Sequence, residues 1–281
     1  MGDNLNRVLI HYNNKKESIE VRRKLERILR ERQIAITETN PDIVVVIGGD
    51  GTMLSAIRQY RMLEKPFIGI NTGTLGFLPT MLPKELAKFA DLLQKGNFHI
   101  ENYPLLKARA KTITGEILED YAFNEILVKH LEPKLMEAKL YVNRKPFNYF
   151  TGDGFIISTP IGATGYGIWA GGVATHSELK VYQLIPLHPN DNSINRPLKI
   201  PMIVPLDTVM KFDIIKAEKR EVIVACDGMK MSNKYISELD IGVAAISVNI
   251  VRMNDFDYFD FFKRKIVDKG DFRTINEDQG F

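Results

Sequence analysis

The stretch Ile43-Val44-Val45-Val46-Ile47-Gly48-Gly49-Asp50-Gly51-Thr52 decides the fold of the first part of the chain. Its first five residues are all β-branched, which predicts a strand buried on both faces of a parallel sheet. A glycine-rich turn follows, and the apolar residues from Met53 to Tyr60 then recur at helical spacing. A strand, a glycine turn and a helix in this order are typical of a doubly wound α/β domain.

The pattern on either side of this stretch predicts two domains of different class. Short apolar runs alternate with helical patterns up to about residue 100, so the first domain is predicted to be α/β with a mostly parallel sheet. Its further strands are expected at Arg7–Tyr12, Ile34–Thr37 and Pro66–Ile70, and its further helices at Glu17–Glu31 and Pro83–Leu93.

Residues 101–255 are predicted to form a β-rich, sandwich-like domain. Its strands are expected at Leu105–Thr112, Tyr121–Lys129, Leu135–Tyr141, Phe155–Ser158, Met202–Val204, Val222–Cys226 and Ala244–Arg252. Residues 256–281 form a tail, with a helix over Tyr258–Val267 that is predicted to pack back on the first domain.

Length and composition limit the possible functions. A chain of 281 residues exceeds the usual size of one hydrophobic core. The net charge of +3 is too small and too dispersed for a nucleic-acid surface, so anionic small molecules are the expected partners. One cysteine and five scattered histidines predict neither a disulfide framework nor a protein-built metal site. Since there is no signal peptide and no apolar run long enough to span a bilayer, we expect a cytoplasmic protein without membrane contact.

The glycine turn predicts a phosphate site. Backbone N–H groups of Gly49, Gly51 and Thr52 can approach phosphate oxygens, and the helix that follows adds partial positive charge. Asp50 is unusual there, because a carboxylate repels the anion that the loop attracts. We interpret Asp50 as a general base for an incoming hydroxyl. The alternative is that Asp50 is only the N-cap of the helix.

A second glycine-bearing turn, Asn71-Thr72-Gly73-Thr74-Leu75-Gly76-Phe77, follows the next predicted strand. Parallel sheets bind ligands at the carboxyl ends of their strands, so two such turns on neighbouring strands would border the same crevice. Phe77 would then pack against a base. The alternative is a tight turn with a core phenylalanine.

The β-rich part contains a second group of polar residues. Asn124 and Glu125 lie in a strand-like run, and Gly152-Asp153-Gly154 leads into the strand before Ser158-Thr159-Pro160-Ile161-Gly162-Ala163-Thr164-Gly165-Tyr166. An asparagine can bind an adenine or amide edge, and carboxylates accept hydrogen bonds from ribose hydroxyls. The small residues leave room for a ligand.

These motifs, in this order, resemble those of NAD kinases. The resemblance covers about Ile43 to Gly228 and rests on the GGDGT loop, the NTGTLGF turn, the FNE triplet, the GDG and STPxGxTxY run, and Cys226-Asp227-Gly228. The loop alone also occurs in lipid kinases and phosphofructokinases. The FNE and STPxGxTxY elements make the match specific.

The resemblance implies transfer of the γ-phosphoryl of ATP, with a divalent metal such as Mg²⁺, to the 2′-hydroxyl of the adenosine ribose of NAD. It implies a dinucleotide bound between two domains and a homotetramer or homodimer. Asp50 would accept the proton, Asn124 and Glu125 would hold the adenosine, and Asp153 the nicotinamide side. Further binding residues expected on this basis are Gly49, Gly51, Thr52, Phe77, Ser158, Ala163, Thr164, Gly165, Tyr166, His188 and Asp227.

The sequence departs from the common family pattern at two places. Ala163-Thr164-Gly165-Tyr166-Gly167-Ile168-Trp169 stands where many members read STAYNKS or STAYS, and Thr151 stands where a basic residue is frequent. Trp169 is interpreted either as core packing or as a surface that stacks on the ligand. His188 is expected to border the ligand; the alternative is a structural histidine, and the neighbouring sequence has no carboxylate pattern typical of a proton relay.

Two other functions remain open. A lipid kinase would share the GGDGT loop, although no membrane-binding amphipathic segment is visible. A non-catalytic dinucleotide sensor would share the binding motifs, but it would not need Asp50.

Overall fold

The computed structural model describes residues 5–73, 76, 78, 81–96, 98–191, 196–253 and 257–267. The α-helices within them are α1 (Lys16–Glu31), α2 (Asp50–Tyr60), α3 (Leu86–Lys95), α4 (Tyr166–Trp169) and α5 (Tyr258–Phe262). The strands are β1 (Arg7–Tyr12), β2 (Ala35–Ile36), β3 (Ile43–Ile47), β4 (Phe67–Ile70), β5 (Phe98–Thr112), β6 (Ile117–Ala122), β7 (Glu125–His130), β8 (Met136–Val142), β9 (Lys145–Gly152), β10 (Gly154–Ser158), β11 (Val181–Leu187), β12 (Met202–Pro205), β13 (Met210–Ile214), β14 (Val222–Cys226), β15 (Met229–Lys230) and β16 (Ile236–Met253). Single 3₁₀ turns lie at Arg61–Leu63, Pro83–Glu85 and Gly162–Thr164, and a π-helical turn lies at Lys263–Val267.

The chain divides into two compact units. The first comprises Met1–Tyr103 together with Ser247–Phe281, and the second comprises Pro104–Ile246. The sequence places domain boundaries near residues 100 and 255. The long strands β5 and β16 have residues in both units, because the chain passes between the units within these strands.

The first unit is built on a parallel sheet in the order β2-β1-β3-β4. The end of β16 joins β4 in parallel through Ile250 and Phe67. All five residues of β3 are at most 1% exposed, as their β-branched side chains predict for a strand covered on both faces. Helix α1 contributes Leu25 and Leu29 to the core, and α3 contributes Phe89 and Leu93. The predicted α/β class of this part is confirmed.

The second unit is an antiparallel β-structure with two sheets around one core. One sheet has the order β16-β13-β8-β9, and the other has the order β12-β11-β10-β7-β14-β15. Phe150 of β9, Phe155 of β10 and Phe212 of β13 form a row of rings with centroid separations of 4.0 and 5.0 Å. Since this row contains residues of both sheets, it joins them across the core. The predicted β-rich, sandwich-like class is confirmed.

The strand predicted over Tyr121–Lys129 is wrong as a single element. The chain leaves β6 after Ala122 and enters β7 at Glu125, so Phe123 and Asn124 lie in a break between two strands. The run was predicted as one strand although it contains Asn124 and Glu125, and the cause of the break is a distant side chain that is described below. Strands β9, β11, β13 and β15 are additional to those predicted.

The chain after β16 is helical where it is described. Asp257 caps α5, because its carboxylate oxygen Oδ1 accepts hydrogen bonds from the backbone N–H groups of Phe259 and Asp260 at 2.8 and 3.0 Å. Residues 268–281 of the predicted tail lie outside the described residues, and the packing of the tail stays a prediction. Over the part of the chain that the structure describes, no helix is both long enough and apolar enough to cross a bilayer.

Candidate functional site

The three glycines of the loop after β3 differ in their surroundings, because Gly48 is in close contact with Thr52 whereas Gly49 and Gly51 have space beside them. A Cβ on Gly48 would lie 2.2 Å from Oγ1 of Thr52, so any side chain there would displace the threonine. Among the residues that the structure describes, a Cβ on Gly49 or Gly51 would meet no neighbouring atom within 4 Å. The loop therefore has open space beside its backbone at the N-terminus of α2, where a phosphate is expected to bind.

Asp50 is the first residue of α2 rather than its N-cap. The N-cap is Gly49, and it has no side-chain cap hydrogen bond, so the N-cap alternative for Asp50 is wrong. Asp50 is only partly exposed, and its Oδ1 accepts a hydrogen bond from the backbone N–H of Leu78 at 3.0 Å. The carboxylate thus lies in the first turn of the helix, where the helix dipole favours negative charge, with one oxygen oriented by a backbone donor.

Polar residues after β1 support the loop. Nδ2 of Asn13 donates to Oγ1 of Thr52 at 2.9 Å, which fixes the threonine hydroxyl. Ser18 in α1 and Thr72 after β4 share a hydrogen bond of 2.7 Å between their hydroxyl oxygens. The carboxyl ends of β1, β3 and β4 are therefore tied together by side chains. Sequence reasoning missed Asn13, Ser18 and Thr72, although position directly after a parallel strand is a signal that could have found Asn13 and Thr72.

The second glycine turn is described only in part. Asn71 is buried, its backbone N–H donates to the carbonyl of Met81 at 2.8 Å, and its side chain donates to the carbonyl of Gly73 at 3.1 Å. Asn71 thus joins the end of β4 to Gly73 and Met81. Phe77 lies outside the described residues, so both interpretations of it stay open.

In the second unit, a distant carboxylate causes the break between β6 and β7. Asp227 accepts hydrogen bonds from the backbone N–H groups of Phe123 at 2.8 Å, Asn124 at 2.7 Å and Glu125 at 3.2 Å. Its own backbone has φ of +49° and donates to the carbonyl of Glu125 at 3.0 Å. Three consecutive N–H groups that point at one carboxylate cannot all pair in a sheet, so the chain turns here.

Two side-chain acceptors of this segment are buried without a hydrogen-bond partner within the described part of the chain. They are Oδ1 of Asn124 and Oε2 of Glu125. Burial, and then the charge of Asp227, raise the pKa of Glu125 to about 7. Because buried acceptors are normally satisfied, two unpaired ones on adjacent residues point to donors supplied by a ligand.

Asp153 is placed by close backbone contacts on both sides. A Cβ on Gly152 would lie 2.9 Å from the carbonyl oxygens of Leu187 and His188, and one on Gly154 would lie 2.0 Å from the carbonyl oxygen of Val128. Oδ2 of Asp153 lies 3.1 Å from Nδ1 of His188, and both side chains are mainly exposed. Local sequence does not show this carboxylate beside His188, because the pairing of Gly154 with Leu187 is what brings the two residues together.

The run after β10 packs against the Phe123–Glu125 segment. Oγ1 of Thr159 donates to the carbonyl of Phe123 at 2.8 Å, and a Cβ on Gly162 would lie 2.1 Å from the carbonyl oxygen of Asn124. A Cβ on Gly165 would lie 3.7 Å from Oε2 of Glu125, which is ordinary contact. Glycine at position 165 therefore widens the space beside the unpaired glutamate oxygen.

The other candidates in this run divide by exposure. Ser158, Ala163 and Thr164 are buried, and the hydroxyl of Thr164 donates to the carbonyl of Ile161 at 2.8 Å. Tyr166 is 49% exposed. The buried residues fix the backbone of the run, whereas Tyr166 is accessible to a ligand.

Trp169 is 77% exposed, so its interpretation as core packing is wrong. It ends the four-residue helix α4, of which only Gly167 is buried. A Cβ on Gly167 would lie 3.2 Å from Oγ of Ser158, so this residue is the point at which α4 contacts the core. The tryptophan, two residues later, points away from that contact.

Within the described residues, no group of three or more His, Cys, Asp or Glu side chains is arranged to hold a metal ion. The oxygen donors at the phosphate loop are the Asp50 carboxylate and the Thr52 hydroxyl. This set fits a magnesium ion of the kind that is bound through one carboxylate together with the phosphates of a nucleotide.

Two family models match most of the chain. Residues 9–98 match the model of the ATP-NAD kinase N-terminal domain, and residues 123–252 match that of the ATP-NAD kinase C-terminal domain. An NAD kinase of Lactobacillus gasseri is 33% identical over 261 residues, which cover 92% of this chain and 95% of the relative.

Two solved structures share the fold. One is yeast NADH kinase complexed with NADH, with a TM-score of 0.83, 18% identity, and coverage of 96% of this chain and 90% of the other. The second is an NAD kinase from Archaeoglobus fulgidus in complex with ATP, with a TM-score of 0.71, 24% identity, and coverage of 88% and 94%. The family models and the bacterial relative show that this chain belongs to the NAD kinase family.

Proposed function

We propose that this chain transfers the γ-phosphoryl group of ATP to the 2′-hydroxyl of the adenosine ribose of NAD, giving NADP and ADP. Family membership supports a kinase acting on NAD. The observation that carries the proposal is the adjacent pair of unpaired buried acceptors, Oδ1 of Asn124 and Oε2 of Glu125. The exocyclic amino group of adenine and the ribose hydroxyls are donors of the required kind.

The phosphate loop holds the donor. Gly49 and Gly51 leave room for phosphate oxygens against the backbone, and α2 presents its N-terminal N–H groups to them. Thr52 adds a hydroxyl that Asn13 keeps in place. Phosphoryl transfer depends mainly on position and charge neutralisation, and a preformed loop supplies both.

Asp50 accepts the proton. As the ribose 2′-oxygen forms its bond to the γ-phosphorus, the bond from that phosphorus to the β–γ bridging oxygen breaks and ADP leaves with the electron pair. The proton of the 2′-hydroxyl passes to the Asp50 carboxylate, whose Oδ1 is held by the backbone N–H of Leu78.

Residues of the second unit hold NAD. Asn124 and Glu125 bind the adenosine portion, with Asp227 keeping their backbone in place. Asp153, with its partner His188, binds the nicotinamide side. Tyr166 and Trp169 are exposed and can stack on an aromatic ring of the ligand.

A divalent metal would be held mainly by the donor phosphates, and the Asp50 carboxylate and Thr52 hydroxyl are the protein oxygens that would help to hold it. When bound, a magnesium ion neutralises charge on the phosphates. We also propose a cytoplasmic enzyme that assembles as a homotetramer or homodimer, in which a neighbouring subunit completes part of the NAD site.

The test is a coupled assay of the purified protein with NAD, ATP and magnesium, in which NADP is detected by an NADP-specific dehydrogenase. The wild type should form NADP. Asp50→Asn should lose roughly 10²- to 10⁴-fold in kcat while the affinity for NAD stays within about twofold, because the amide keeps the shape but cannot take the proton.

Three other results would each exclude a part of the proposal. Turnover unchanged in Asp50→Asn would exclude the base. Binding of NADP without any turnover by the wild type would indicate a sensor. Phosphorylation of a diacylglycerol in vesicles, with none of NAD, would indicate a lipid kinase.

A further inference from the structure

A buried arginine lies behind the candidate base. Arg252, near the end of β16, is 3% exposed. Its Nε donates to Oε2 of Glu101 at 2.9 Å, its Nη2 donates to the hydroxyl of Tyr103 at 3.4 Å, and that hydroxyl in turn donates to Glu101. Burial raises the pKa of Glu101, but the hydrogen bond from Tyr103 and the charge of Arg252 outweigh this effect, so the net pKa is lowered. The carboxylate is therefore ionised, and the guanidinium is paired.

The arginine also binds the segment that holds Asp50. Nη1 of Arg252 donates to the carbonyl oxygen of Leu78 at 3.3 Å. The backbone N–H of the same residue donates to Oδ1 of Asp50 at 3.0 Å. Leu78 itself is 1% exposed, so its side chain is fixed in the core. Leu78 thus connects the Arg252 guanidinium to the Asp50 carboxylate, because its carbonyl accepts from the first and its N–H donates to the second.

We propose that Arg252 is a positioning residue, which orients the Asp50 carboxylate through the backbone of Leu78. This inference rests on the proposed function, in which Asp50 is the base. Joining β16 to β5 would require only the ion pair with Glu101. The additional hydrogen bond joins Arg252 to the carbonyl oxygen of Leu78. The planar guanidinium can bind Glu101 and this carbonyl at the same time, because its N–H groups point in fixed directions. Lysine has the charge but not the fork, so it cannot replace arginine in this role.

The experiment compares Arg252→Lys with Asp50→Asn and with the double variant in the NADP assay. Arg252→Lys keeps a cation beside Glu101 and loses the directed bond to Leu78. We expect kcat to fall by about tenfold to 100-fold, as misplacement of a catalytic group does. The KM values for NAD and ATP should stay within about twofold, since no binding residue changes. In the Asp50→Asn background the same substitution should have no further effect, because the group that it orients is already lost.

Val21→Ala is the matched control, because it removes a buried apolar side chain of α1 from the core of the same unit and changes no polar group. It should leave kcat within about twofold of the wild type. If Arg252→Lys does not fold, as judged by circular dichroism, Tyr103→Phe takes its place in the cycle. That variant removes one partner of the guanidinium and leaves no charge unpaired, so it should lower kcat less and again only when Asp50 is present.

The results separate this inference from the proposed function. Turnover unchanged in Asp50→Asn overturns the base assignment. A second outcome is that Asp50→Asn loses turnover and the double variant shows the product of the two single losses in kcat. That outcome overturns only the positioning role of Arg252 and shows that this residue stabilises the fold. An effect of Arg252→Lys on KM rather than on kcat has the same consequence.

Discussion

The phosphate loop and the Phe123–Glu125 segment differ in what holds them. Within the loop, Gly48 makes room for Thr52, four positions away. The Phe123–Glu125 segment is held by Asp227, which is 102 to 104 positions away in the sequence. A locally determined site can be read from adjacent residues. A site determined by a distant side chain requires knowledge of the fold.

The largest expected effect tests the distant contact. Asp227→Ala removes the carboxylate that accepts three hydrogen bonds. The backbone N–H groups of Phe123, Asn124 and Glu125 then lose this acceptor. Each charge-assisted bond contributes about 1.5 to 3 kcal/mol, so the free energy of unfolding should fall by roughly 3 kcal/mol or more. Urea denaturation measures the loss, and titration with NAD should show weakened binding.

Asp227→Asn is the control for this prediction. It keeps the shape of the side chain and one acceptor oxygen, so its loss should be less than about half that of the alanine variant. Wild-type stability and NAD affinity in Asp227→Ala would contradict the claim that this carboxylate organises the segment.

The second prediction concerns the charge of Glu125. Its pKa is raised to about 7 from an ordinary value of 4.5, first by burial and then by Asp227. Below the ordinary value the carboxyl is protonated in both folded and unfolded chains, so it has no effect. As the pH rises to about 7, the unfolded chain ionises first, so stability is lost over this interval. The full loss, roughly 3 kcal/mol, is present above it.

Glu125→Gln should remove this loss. The variant and the wild type should have similar unfolding free energies at about pH 4, and the variant should be more stable by roughly 3 kcal/mol at about pH 8.5. Thermal or urea unfolding across this range measures the difference. Affinity for NAD should fall in the same variant, because a ribose hydroxyl then meets an amide. A stability difference that does not change with pH would show that Glu125 is not desolvated.

Sequence reasoning succeeded where the structure is local. The β-branched run from Ile43 to Ile47 predicted a strand with its bounds, since both faces had to be apolar. It failed at Phe123 and Asn124, because a strand-like run has the same appearance whether or not a distant carboxylate interrupts it. It left two interpretations of Trp169 open, since an indole is usually buried and only the contact of Gly167 shows which way α4 faces. Arg252 gave no signal, because its partners are brought together only by β5 and β16.

The smallest effect separates the two kinds of glycine within the phosphate loop. Gly48→Ala places a Cβ 2.2 Å from Oγ1 and 2.5 Å from Cβ of Thr52, so the loop must shift. Overpacking of this kind costs about 1 to 3 kcal/mol of unfolding free energy, and the displaced Thr52 should also lower kcat. Gly51→Ala places a Cβ that meets no neighbouring atom of the described residues within 4 Å, so the stability of this variant should stay within about 0.5 kcal/mol of the wild type. Its KM for ATP should nevertheless rise, because the methyl group occupies the space assigned to phosphate.

A rescue variant tests the cause of the strain at Gly48. Thr52→Ala in the Gly48→Ala background removes two of the three close atoms and should restore part of the stability. Equal losses of stability in Gly48→Ala and Gly51→Ala would show that the open space beside Gly51 is not present in solution.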